Sequence, residues 1–139
     1  EALRIAPPQI PRWDSYKMLL ACARHAPAKE IQGLAAKVAI DDDPEVDYFF
    51  AGHLAYCGQT NAALRMLKIA IDRRYCSYPT VDRDPFFDGL RSNLAFQGLR
   101  RAGMACHDDF TNNRDRQPGR AVDGAPLPDA TGVRSPATL

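Results

Sequence analysis

The chain has 139 residues, of which 45% are hydrophobic and 25% charged, with a formal net charge of +1. That is one domain of ordinary globular composition, and the charge balance excludes a bulk electrostatic pull toward nucleic acid or acidic membranes. No apolar run approaches the roughly 20 residues that cross a bilayer, and no charged segment followed by an apolar one opens the chain, so neither a membrane span nor a signal peptide is expected.

The first residue is Glu rather than Met, and the expectation is a processed or excised piece, the end of a longer protein. Residues 1–11 hold Pro7, Pro8 and Pro11. Each proline biases its predecessor away from helix, so this stretch reads as an extended leader. A first helix is expected over residues 12–25, with Trp13, Tyr16, Leu19, Leu20 and Ala23 on its apolar face. A second, over residues 28–40, turns Ile31, Leu34, Ala35 and Val38 inward, and Gly33 permits close approach to the first. Asp41-Asp42-Asp43 is then a solvated turn between helix pairs. It lacks the alternating oxygen ligands and central glycine of a calcium loop.

The central stretch, residues 44–75, carries the most information. Asp43-Pro44-Glu45 is a helix start: a capping acid, proline at the first helical position, and an acid near the positive end of the dipole. Val46, Phe50, Leu54 and Cys57 follow at spacings of four and three, one helical face, widened by Phe49, Ala51 and Ala55. Gly58 ends this helix as a glycine that takes the left-handed conformation. Thr60 or Asn61 caps the next, whose buried stripe is Ala63, Leu64, Leu67, Ala70 and Ile71. Ala51, Ala63 and Ala70 fall where two antiparallel helices approach closely.

Ala51, Leu54, Gly58, Ala63, Leu67 and Ala70 stand at the signature positions of the tetratricopeptide repeat, and the stretch resembles one such unit of about 34 residues. Asp47 departs from the family's usual aromatic near the start, and Tyr75 stands in place of the closing proline. The first two predicted helices have the size of a second, divergent unit. Past Tyr75 an irregular connection, residues 76–80, leads to a helix restarted by Asp82-Arg83-Asp84-Pro85, with Phe86, Phe87 and Leu90 apolar. A last helix, residues 94–110, carries Phe96, Leu99, Met104 and Phe110. The run Ala70-Ile71, Tyr75, Asp84-Pro85, Leu90-Arg91 and Phe96 resembles the closing segment of tetratricopeptide arrays in bacterial signalling proteins. There such arrays follow a kinase or transcription-regulator domain and end in capping helices. From residue 112 the periodicity stops. Residues 112–139 read as a Pro/Gly-rich irregular tail.

The resemblance implies an all-α fold of about six helices, stacked as antiparallel hairpins in a short solenoid over residues 12–111 and closed by a C-terminal capping helix. It implies a non-catalytic protein–protein interaction module that takes a peptide or partner protein, an acidic one in particular, in a groove made by the first helix of each pair. Candidate contacts are Tyr48, His53, Asn61, Arg65 and Lys68, with Arg73 among the cations that meet acidic groups. Tyr48, Phe49 and Phe50 cannot all point inward, so at least one faces a surface. The alternative is a regulatory or self-associating C-terminal segment of a larger signalling protein such as a kinase or transcription regulator, with homo-oligomerisation one form of it.

Chemistry finds little support. Cys106-His107-Asp108-Asp109 holds catalytic residue types, but neighbours on a helix point about 100° apart and do not form a nucleophile–base pair. The histidines and cysteines lack ligand spacing, so no metal and no cofactor are expected. Aromatics are not interleaved with the basic residues as nucleic-acid binding requires. The four cysteines form no CxxC. Cys22 and Cys57 read as small core residues, and free thiols imply a reducing, cytoplasmic setting.

Overall fold

The computed structural model describes residues 12–115. The expected leader, residues 1–11, and the tail beyond residue 115 lie outside them. Within the described residues the fold is all-α, with no strand: α1 (Trp13–Ala23), α2 (Ala28–Ala35), α3 (Pro44–Tyr56), α4 (Thr60–Asp72), α5 (Thr80–Arg83), a 3-10 helix η1 (Pro85–Leu90) and α6 (Leu94–Asp115).

α3 is the centre. Its start follows the sequence: the Asp43 carboxylate accepts the Glu45 N–H at 2.9 Å and Pro44 holds the first helical position. Three elements surround it, with α4 making the most extensive contact and α1 and η1 covering other faces. A helix enclosed on several sides is buried beyond one stripe. Asp47, Tyr48, Phe50, Ala51, Gly52, His53, Leu54 and Ala55 are all interior. Phe49 is the residue turned out, 51% exposed, and does not join the core. α4 buries Ala63, Met66, Leu67, Ala70 and Ile71 against α3. Ala51, Ala63 and Ala70 have no exposed surface, as the close-approach argument requires.

Three helices end in the same way. After α3 the Gly58 N–H donates to the Ala55 carbonyl and Gln59 N–H to Leu54, with Gly58 at φ 70°. After α1, His25 and Ala26 donate to Cys22 and Ala21; after α4, Arg74 and Tyr75 donate to Ile71 and Ala70. His25 (φ 56°) and Arg74 (φ 73°) take the left-handed position without being glycine.

α2 stops at Ala35, five residues short of its expected end. Lys37 and Val38 donate to the carbonyls three residues back, at Leu34 and Ala35, a tightening that turns Val38 into the core. The loop that follows is anchored rather than solvated. Arg12 grips the Asp41 carboxylate through two nitrogens at 2.9 and 3.0 Å, and the Asp43 N–H, then Arg12, hold that carboxyl below its usual range. The Asp41 N–H donates to Asp47 at 2.8 Å. Asp47, fully buried, also pairs with Arg73 at 2.9 Å, and Arg73 reaches the carbonyls of Asp41 and Asp42. The acid that departs from the repeat signature is thus compensated from inside the chain. Arg73 is occupied there, not presented to an acidic ligand.

The C-terminal part departs most from expectation. The helix expected to restart at residues 82–85 instead begins at Thr80, inside the expected irregular connection, and ends at Arg83 as α5, and residues 85–90 form a 3-10 turn instead of an α-helix. Asp84 accepts the Phe86 N–H at 3.0 Å. Arg91 donates to the carbonyls of Val81 (2.7 Å) and Asp84 (2.8 Å). Asn93 accepts the N–H groups of Ala95 and Phe96, starting α6. This helix runs to Asp115, through residues 112–115 that were read as tail. Phe87 and Phe96 stack inside at 5.6 Å, whereas Leu94 (81%) and Phe110 are exposed. Gly103 meets the 76–77 loop so closely that a Cβ would lie 2.6 Å from the Cys76 carbonyl oxygen.

The cysteines correct the sequence reading. All four are paired, Cys22 with Cys57 and Cys76 with Cys106. The first bond ties the end of α1 to the end of α3, and the second ties the loop after α4 to α6.

Candidate binding face

Of the five predicted contacts, two are interior. Tyr48 lies among Tyr75, Phe87 and Phe49 at ring distances of 5.4 to 5.7 Å. Its hydroxyl donates to Asp84 at 2.8 Å. Burial, then that carboxylate, drive its pKa upward, so it remains a donor. It joins α3 to the cap of η1 and presents nothing to a ligand. His53 is also buried, its Nδ1 2.8 Å from the Ser15 hydroxyl of α1. Desolvation pushes the imidazole pKa down, against a smaller upward pull from Asp84. The ring is therefore neutral near neutral pH. Asn61, Arg65 and Lys68 are exposed on α4, with Lys68 paired to Asp72 one turn on at 2.6 Å.

The three elements that border His53 create a feature the sequence did not reveal. Trp13 and Tyr16 of α1 lie 6.2 Å apart. Tyr16 packs against His53 at 5.5 Å, and His53 meets Phe86 of η1 edge-on at 5.6 Å. Phe86 in turn meets Tyr56, at the end of α3, at 5.5 Å. Five rings thus form a continuous ladder over α1, α3 and η1. Two of the rings stay open to solvent: Tyr16 is 46% and Tyr56 54% exposed, and Leu20 is exposed as well. Gly52 allows this closeness, since its missing Cβ would sit 3.4 Å from Phe86. Aromatic rings with polar tips supply contact area at small entropic cost. Spacing along α1 marks Tyr16 as apolar, but Tyr56 belongs to no expected apolar face, and only the fold brings Phe86 between them.

A concavity of about 440 Å³ lies between α5 and α6, lined by Asp82, Arg91, Phe96, Gln97, Arg100 and Arg101. Arg100 grips Asp82 through two nitrogens, one at 2.8 Å, and holds its carboxyl below the usual range.

The cluster at residues 106–109 carries no free thiol, because Cys106 is bonded to Cys76. His107 packs near Tyr78 instead, at 5.7 Å. No group of three or more metal-ligating side chains occurs among the described residues, and none of their helices is long and apolar enough to cross a membrane. Comparison with known protein families, with curated proteins and with solved structures finds no match.

Proposed function

We propose that this chain is a non-catalytic protein-binding module of tetratricopeptide-like build, with α1/α2 and α3/α4 as stacked hairpins and α5 to α6 as the cap. The observation that carries the reading is the five-ring ladder across α1, α3 and η1, open at Tyr16 and Tyr56. It lies on the first helix of each pair, the side on which the repeat resemblance expects a peptide. The docking face therefore shifts from Asn61, Arg65 and Lys68 to Tyr16, Tyr56 and Phe86, and the partner is a peptide or protein segment with apolar anchors. Two disulfides favour an oxidising compartment over the cytoplasm. That weighs against the alternative of a cytoplasmic kinase or regulator tail, while self-association through the same face remains compatible with it.

The test uses Trp13, the single tryptophan, as a reporter beside the ladder. Peptides selected from a random library on the full chain should perturb Trp13 fluorescence. They should lose about tenfold or more in affinity when Tyr16 and Tyr56 are replaced by Ala. Binding that survives the double substitution would remove the ladder as the docking face. Concentration-dependent light scattering that the same substitution abolishes would assign the face to self-association.

A further inference from the structure

The cleft between α5 and α6 plays no part in the docking reading, and its chemistry is different. Three guanidinium groups, Arg91, Arg100 and Arg101, face it with one carboxylate, Asp82. Asp88, just outside the lining, pairs with Arg91, so three guanidinium groups meet two carboxylates and one positive charge is left over, three minus two. The three arginines are not equivalent. Arg91 is spent on structure: it donates to the carbonyls of Val81 and Asp84 and to the carboxylate of Asp88. Arg100 spends Nε and Nη2 on Asp82, and its Nη1 has no partner among the described residues. Arg101 is exposed, and no partner for it occurs among the described residues. Gln97 donates its amide N–H to the Arg91 carbonyl at 3.3 Å, leaving its own carbonyl oxygen to accept from a hydroxyl.

We propose that this cleft binds a phosphate monoester, with Arg101 and the open edge of Arg100 holding the dianion. A guanidinium fork matches phosphate oxygens in geometry as well as charge. The one positive charge left over, on Arg101, favours an anion in the cleft. The volume, within the range of small-ligand sites, leaves room for the organic part of the ester beside the phosphate, and Gln97 offers it an acceptor. Asp82 does not oppose this, because Arg100 already neutralises it. The same chemistry is found in soluble phosphomonoesters and in the headgroup of phosphatidic acid.

The experiment titrates the full chain with glycerol phosphate by calorimetry, against potassium chloride at matched ionic strength. A parallel arm measures co-sedimentation with phosphatidylcholine vesicles with and without phosphatidic acid. Saturable binding of glycerol phosphate is expected. Arg101→Gln should weaken it about tenfold or more, while Arg65→Gln, an exposed change on α4 away from the cleft, should leave it unaltered. Binding restricted to phosphatidic acid vesicles, with the same dependence on Arg101, assigns the phosphate to a lipid. An equal response to chloride, no binding in either arm, or an unchanged affinity in Arg101→Gln overturns the proposal. Because Arg101 is exposed, its replacement tests the site without removing a core contact.

Discussion

The α3–α4 pair and the α5–η1–α6 segment both bury aromatic and aliphatic side chains, but by different means. The pair relies on regular spacing. Alanines at 51, 63 and 70 bring two backbones together, and larger side chains interdigitate around them. The later segment has no such regularity. There the Asp84 and Asn93 side chains accept backbone N–H groups and Arg91 fills two backbone carbonyls, one named bond at a time. Where the periodic pattern is strong, it sets the line of contact between helices. Where it is weak, individual polar groups set the path of the chain.

The disulfides offer the largest handle on that difference. They close rings between cysteines 35 and 30 positions apart, and chain entropy assigns about 3–4 kcal/mol to each. Cys22→Ala/Cys57→Ala and Cys76→Ala/Cys106→Ala should therefore lose nearly the same stability in urea denaturation. A much greater loss for the second pair would mean that the polar segment cannot hold α6 without its clasp. Next comes Arg73→Leu, which leaves the buried Asp47 carboxylate uncompensated. About 3 kcal/mol is expected, at the low end for broken buried pairs because Arg73 is partly exposed. Denaturation that leaves the midpoint unmoved would show that water replaces the guanidinium.

Overpacking then compares the two regions directly. Ala63→Leu should cost about 1–3 kcal/mol by forcing α3 and α4 apart. Gly103→Ala should cost a similar amount through one backbone clash with the Cys76 carbonyl. A chain that melts unchanged with Ala63→Leu would place the α3–α4 register in error. The smallest effect is on pH dependence. The folded pKa of His53 is lowered from 6.5, so the unfolded chain binds more protons between the two values, and stability falls as pH drops below 6.5. Asp82 and Asp41, held below 3.8, add their loss only under more acidic conditions. In His53→Gln the first of these two slopes in a Tm-against-pH series should disappear while the second persists.

Much of the helical frame was legible in the residues. Pro44 and Asp43, the left-handed Gly58 and the three alanines are local signals, and they mark the ends and the contact line of α3 and α4 without reference to anything distant. What escaped is long-range. Cysteines 30 and 35 residues apart carry no spacing signature, so their pairing followed only from where α1, α3 and α6 lie. Tyr48 and Phe49 are equally apolar neighbours, and a helix enclosed by three partners leaves period alone unable to say which one turns out. Arg73 read as a surface cation because its counterpart, Asp47, sits 26 positions earlier. The ladder depends on Phe86 reaching between α1 and α3 from a turn more than 25 residues beyond either tyrosine. The 3-10 form of η1 reflects caps supplied by side chains, which no apolar spacing encodes.

The two disulfide rings occupy separate stretches, 22–57 and 76–106, and neither is threaded inside the other. Residues 58–75 belong to no ring, so α4, the helix with the largest contact to α3, is also the single covalent bridge between two cross-linked halves. A protease that cuts within either ring leaves one connected molecule until reductant is added. A cut after Arg65 or Lys68, both exposed on α4, divides the chain into two pieces joined only by packing. On a denaturing gel without reductant, a nick within either ring would thus leave one band, and a nick in α4 would give two.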